Sequence, residues 1–281
     1  MKQILAFSLV LAVGCKSTPT STQSASSNTA EVTLPRADTH SGVVSGNNGS
    51  ISGVVRVAGD ESPAMPGALT IPVGKCFKAH QMHGKVFRRG ADNAAPDVLV
   101  GVTEYKGEVA KATAPVVVTM EDCALSQRTF VMTPGQELHA KNVGLVAAIP
   151  HLRGAPQAAL VVAVPGGTPI VLTPPTVGRY QLIDRSHEYA MADVFVLGYS
   201  TTDVTDEAGK FDIQGIPAGE VKVSAMLPSA GLTVEKRVVV EPNKVTEVNL
   251  DLHFELAKWQ ADLGAAKAAA DAPAVSSGTS Q

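Results

Sequence analysis

Thr205-Asp206-Glu207-Ala208-Gly209-Lys210-Phe211-Asp212-Ile213-Gln214-Gly215-Ile216-Pro217-Ala218-Gly219 is the stretch whose reading decides the fold. Asp206 and Gly209 suit a tight hairpin turn, because a short carboxylate bonds the backbone just ahead of it and glycine takes a positive φ at no steric cost. After the turn Phe211 and Ile213 alternate with Asp212 and Gln214, the period-2 pattern of a strand with one face in a core. Gly215 and Gly219 permit the next reversal. The segment reads as one rung of an antiparallel sheet.

The same alternation recurs outward in both directions. Ile51, Gly53, Val55 and Val57 alternate with Ser52, Val54, Arg56 and Ala58, which opens the folded body near Gly49. Further strands are expected at 97–105, 115–120, 128–132, 137–142, 169–172, 178–183, 192–197, 220–226, 235–240 and 244–252. In the last of these Val248, Leu250 and Leu252 share a face opposite Glu247, Asn249 and Asp251, so one side faces a core and the other water. Pro134-Gly135, Pro165-Gly166-Gly167 and Pro217-Ala218-Gly219 punctuate the runs at intervals of roughly 8 to 12 residues, which argues for sandwiches or a barrel and against βαβ units. Helical spacing is expected only at 253–270, around Phe254, Leu256, Trp259 and Leu263, and 273–281 has the composition of a disordered tail.

The stretch from Thr205 to Gly219 resembles the signature of carboxypeptidase regulatory-like domains, and Ser50-Ile51-Ser52-Gly53-Val54-Val55 is similar to the first strand of that domain type. Between them, Asp122-Cys123-Ala124-Leu125, Pro134-Gly135-Gln136-Glu137-Leu138, Lys141-Asn142 and the region from Leu182 to Met191 resemble the cupredoxin-like proteins in which such a sandwich carries a plastocyanin-type insert. The resemblance implies a mainly β chain of two β-sandwiches. An immunoglobulin- or prealbumin-like regulatory sandwich would be built from 49–112 and 200–252, a cupredoxin-like domain from 113–199 would be inserted in it, and 253–281 would form a short C-terminal helix and tail.

At the N-terminus Lys2 precedes the apolar run Ile4 to Val13, and Leu11-Ala12-Val13-Gly14-Cys15 follows. This is a signal-peptide layout, too short to span a bilayer. It resembles the lipobox of bacterial lipoproteins, which implies loss of residues 1–14 and a diacylglycerol thioether on Cys15, with palmitate-type chains holding the protein to a membrane. Lys16 stands where an enterobacterial inner-membrane lipoprotein carries aspartate, so the resemblance favours the outer membrane, with the body facing the periplasm or the cell surface. Residues 15–48 are rich in Ser and Thr and read as a flexible tether. Without residues 1–14 the chain holds 22 basic against 26 acidic residues, a net charge of −4, and nothing in it resembles a nucleic-acid-binding surface.

With Cys15 assigned to lipid, Cys76 and Cys123 remain as a pair in an oxidising compartment and are read first as a disulfide, with two reduced thiols or a metal ligand as the alternatives. A blue-copper centre needs two imidazoles, a thiolate and a weak methionine. The late loop, Asp184-Arg185-Ser186-His187-Glu188-Tyr189-Ala190-Met191, keeps His187 and Met191 but has Asp184 at the thiolate position. On the early loop Ala148 stands near the expected histidine, and His151 follows. The electron-transfer set therefore cannot form as the family makes it. What remains is a candidate site of His187, Met191 and His151, with Asp184 or His139 as substitutes, and a second soft cluster at Cys76-Phe77-Lys78-Ala79-His80-Gln81-Met82-His83 that suits Cu(I). There is no G-x-S-x-G elbow, H-E-x-x-H or Walker loop, so catalysis is not expected. The expected function is a lipid-anchored binding or structural module of a cell-envelope assembly, with an envelope protein as partner and no resident cofactor. The competing expectation is a copper carrier or electron-transfer protein with an altered site.

Overall fold

A computed structural model describes residues 47–66, 68–156 and 159–271. The signal segment 1–14, the lipid site Cys15, all but the end of the tether and the tail 273–281 lie outside the described residues.

The turn takes the local conformation its residues dictate, but it closes no hairpin, because the strands before and after it belong to different sheets. Asp206 Oδ1 accepts the amides of Ala208 and Lys210, and Gly209 turns at φ +70° while donating its N–H to the Asp206 carbonyl. The chain then enters β12 (Lys210–Pro217), antiparallel to β1 (Asn48–Gly59), with Ile51 opposite Ile213 and Gly53 opposite Phe211. The far side of β1 pairs in parallel with β15 (Val245–Glu247) and β16 (Leu250–Phe254). Gly53 is required there, since a Cβ would sit 1.9 Å from the Val248 carbonyl oxygen. A second sheet runs β11 (Thr202–Val204), β2 (Leu99–Thr103), β13 (Gly219–Leu227), β14 (Leu232–Val240). Ile51, Val55, Phe211, Ile213, Val223 and Leu250, all 2% exposed or less, belong to the core built from these two sheets.

Residues 116–196 build a separate core from two more sheets. One runs β4 (Ala124–Leu125), β3 (Val116–Glu121), β6 (Leu138–Asn142), β8 (Ile170–Leu172), and the other β5 (Thr129–Met132), β10 (His187–Val196), β9 (Gly178–Asp184), β7 (Pro150–Arg153). Val118, Leu138, Leu152, Leu182 and Val194 are buried in that core. The fold is thus mainly β. The run expected at 244–252 is split in two, and its faces are as the alternation requires, with Val248, Leu250 and Leu252 buried and Glu247, Asn249 and Asp251 exposed.

Two α-helices are present among the described residues, α1 (Phe77–His83) and α2 (Leu256–Asp271). The second begins later than the spacing predicts, because His253 and Phe254 complete β16 and the Asp60 carboxylate accepts the Leu256 amide at 2.9 Å. Trp259 packs back on its own core, 6.2 Å from the Phe254 ring. No helix among the described residues is long and apolar enough to cross a membrane.

A buried carboxylate joins the two sets of sheets. Asp97, 4% exposed, accepts the Arg128 amide and both Nε and Nη2 of Arg88, while its carbonyl accepts the Thr129 hydroxyl.

Candidate functional site

A shallow pocket lies at one end of the sandwich 116–196, between β3, the loop after β6 and the turn joining β9 to β10, and Cys123, Asn142, Ala148, Asp184, His187 and Ala190 are among the residues that line it. Two buried polar side chains hold its walls. Asn142 Nδ2 donates to the carbonyls of Val146 and Ala163, each at 2.8 Å, and its Oδ1 accepts the Gly144 amide. Asp184, 2% exposed, accepts the Ile149 and Ser186 amides on Oδ1 at 2.8 and 2.9 Å, and Oδ2 lies 2.8 Å from His187 Nδ1. An inward-facing carboxylate costs several kcal/mol unless hydrogen-bonded, and these contacts meet that requirement.

The sequence-derived metal candidates are not brought together. Leu152, Ala190 and Ala192 face the core. Pleat alternation therefore turns His151 and Met191 to the other face of the sheet, where both lie opposite Ile183 on adjacent strands. The Gln181 side-chain amide donates to the Met191 sulfur at 3.6 Å. His187 stays at the pocket with Asp184, and Ala148 and Ala190 line the same pocket. His139 is on the opposite sheet, 2.8 Å from Glu137.

The octet from Cys76 to His83 is mostly a helix and not the exposed loop its polarity suggests. Cys76 is bonded to Cys123, with Cα atoms 5.2 Å apart. Its neighbours lie across the same seam, where Lys78 donates its amide to Asp122 and pairs through Nζ with Glu121, and Ala79 clusters with Ile71, Ala124 and Tyr189. The soft groups of the octet diverge: His80 reaches the Pro72 carbonyl, while His83 is buried at 1% exposure. Burial, with the nearby guanidinium groups of Arg128 and Arg88, pushes the His83 imidazole down to about 3. Burial, then the carboxylates of Asp184 and Asp122, hold the Tyr189 phenol above its ordinary value.

One grouping escapes sequence reasoning altogether. The disulfide ties the strap carrying Cys76 to Cys123 in the pocket lining, and the ligand atoms of Cys76, Cys123 and His187 all lie within 4.8 Å of one another. The only sequence signal was the even cysteine pair, which said nothing about His187.

No family model matches the chain, and neither does any curated protein. Among solved structures it is similar to amicyanin from Paracoccus versutus, at 15% identity over 34% of this chain and 97% of that one, with a TM-score of 0.27. It is also similar to a purple cupredoxin from Nitrosopumilus maritimus, at 12% identity over 29% of this chain and 99% of that one, with a TM-score of 0.26. A copper-containing nitrite reductase from Thermus scotoductus SA-01 shares 14% identity over 34% of this chain and 25% of that one, with a TM-score of 0.26.

Proposed function

We propose that this chain is a lipid-anchored envelope protein whose inner sandwich, residues 113–199, is a cupredoxin frame turned from metal binding to partner binding. The observation that carries the reading is the state of Asp184. It stands where the resemblance implies a thiolate, and its two oxygens are committed to two backbone amides and one imidazole. That is a structural use of the position, holding the β9–β10 turn closed. Ala148 and Ala190 line the same pocket, where a copper centre needs donors.

Support for recognition lies next to the pocket. Leu145, Val146, Leu160 and Val162 are exposed on the loops that Asn142 pins through Val146 and Ala163. Apolar side chains held out on loops with fixed backbones present a preformed contact surface. Cys15 and the tether would carry this surface away from the membrane.

The test has three arms on the full, disulfide-bonded chain. After loading with Cu(II) and washing, the expected result is no retained copper and no copper resonance, and one tightly held copper per chain would overturn the reading. A photo-crosslinking residue at Leu145 is expected to give a discrete protein adduct in cells, whereas one at Val239, exposed on the outer sandwich, gives none; equal labelling from both positions counts against a recognition surface. Cys15→Ser is expected to release the chain from the membrane fraction, and unchanged membrane retention would remove the anchor.

A further inference from the structure

Cys76, Cys123 and His187 come from three segments far apart in sequence: the strap before α1, the turn between β3 and β4, and the start of β10. Their ligand atoms lie within 4.8 Å of one another, and two of the three, Cys123 and His187, line the pocket. His187 is already oriented. Asp184 Oδ2 lies 2.8 Å from Nδ1, which leaves Nε2 as the ring nitrogen able to bind a metal. A carboxylate behind an imidazole fixes the ring and raises its basicity as a ligand.

We infer that reduction of the Cys76–Cys123 disulfide converts this cluster into a site for a thiophilic d10 metal ion, Zn(II) or Cu(I), held by two thiolates and the His187 imidazole. Two soft sulfurs and one nitrogen select this class over hard cations. Zn(II) takes three such ligands plus a water, and Cu(I) is served by the same soft donors. The inference rests on the proposed function only in taking the disulfide-bonded chain to be metal-free.

The redox step balances. A dithiol of the thiol–disulfide exchange class gives two electrons and two protons to the disulfide, breaking the S–S bond and closing its own. The ion then displaces the two thiol protons to solvent as it forms its metal–sulfur bonds.

The fold can accommodate the change. Cys76 and Cys123 belong to a small satellite cluster with Ile71, Ala79 and Ala124, outside both large cores, so those cores stay packed. In the disulfide-bonded state no thiolate is available and the site is closed, which makes metal affinity a readout of redox state.

The experiment uses the full chain, reduced with dithiothreitol and passed anaerobically through a desalting column. Co(II) is titrated as the spectroscopic stand-in for Zn(II), and Cu(I) is presented in competition with a chromophoric chelator. The expected result is one ion per reduced chain, with thiolate-to-cobalt charge-transfer absorption in the Co(II) arm and none in the disulfide-bonded chain. Cys76→Ser and Cys123→Ser abolish the charge-transfer signal of two thiolates, and His187→Ala weakens binding by about tenfold or more. Binding through these residues in one arm and not the other identifies the ion. A reduced chain that binds neither metal, or binds as tightly after His187→Ala, overturns the inference. Copper held by the disulfide-bonded chain would instead fall on the proposed function, which separates the two failures.

Discussion

At the residue scale the backbone and a single imidazole make the sharpest demands. Gly209 sits at φ +70°, and a Cβ there would lie 2.4 Å from the Val55 carbonyl oxygen. Gly209→Ala is therefore expected to cost about 1 to 3 kcal/mol in urea unfolding, and this requirement is visible in the sequence because the turn is local. His83 was not legible in the same way. Its place between Arg88 and Arg128 is set by tertiary packing, so the sequence shows only a histidine in a polar run. Because its folded-state value is about 3 against an ordinary 6.5, the unfolded chain takes up a proton that the folded chain refuses between those limits. Stability from this residue is complete above about pH 6.5 and falls with acidification, by about 2 to 3 kcal/mol at pH 4.5. His83→Gln is expected to flatten that part of the stability–pH curve, and an unchanged slope would show that other groups set it.

At the scale of elements, legibility follows period and length. Strands with one buried face, such as β1, β12 and β13, announce themselves by alternation. β7 does not, because it is four residues long, opens on Pro150 and lies at a sheet edge where a missing N–H is tolerated. α1 is seven residues with no capping side chain at Cys76, too short to form by propensity, and is held by Ala79, His83 and the disulfide. The candidate site failed in part for a related reason. The resemblance implies Met191 beside His187, but a register irregularity between them and the pleat that follows turn Met191 to the other face. The disulfide itself closes a sequence separation of 47 residues. Cys76→Ser is expected to lower unfolding free energy by about 4 kcal/mol in the chain-entropy account, measured with Cys123→Ser also present so that no lone thiol confounds the result.

At the scale of the whole molecule, alternation makes a mainly β chain legible and the division of its strands into two sandwiches is what the family resemblance implies, while the tie between the two sets of sheets is not legible in the sequence. Asp97 reads as the polar first residue of the strand expected at 97–105 until the fold places it between Arg88 and the Arg128 amide. Removing one partner of a buried ion pair costs about 3 to 5 kcal/mol. Asp97→Ala is therefore expected to uncouple the sandwiches, turning a single calorimetric transition into two; a single, merely lowered transition would show that the disulfide suffices to couple them.

The position of β1 has a mechanical consequence. The strand is bonded along one side to β12 and along the other to β15 and β16, and its first residue, Asn48, is where the chain from the proposed anchor arrives. Tension between a membrane and a partner held at Leu145 would pull along β1 and load its ladders in shear, so that many hydrogen bonds must yield together and none can be peeled singly. A protein tethered by this strand would resist sudden force through the whole ladder at once, as a taut line holds by its splice and not by its weight.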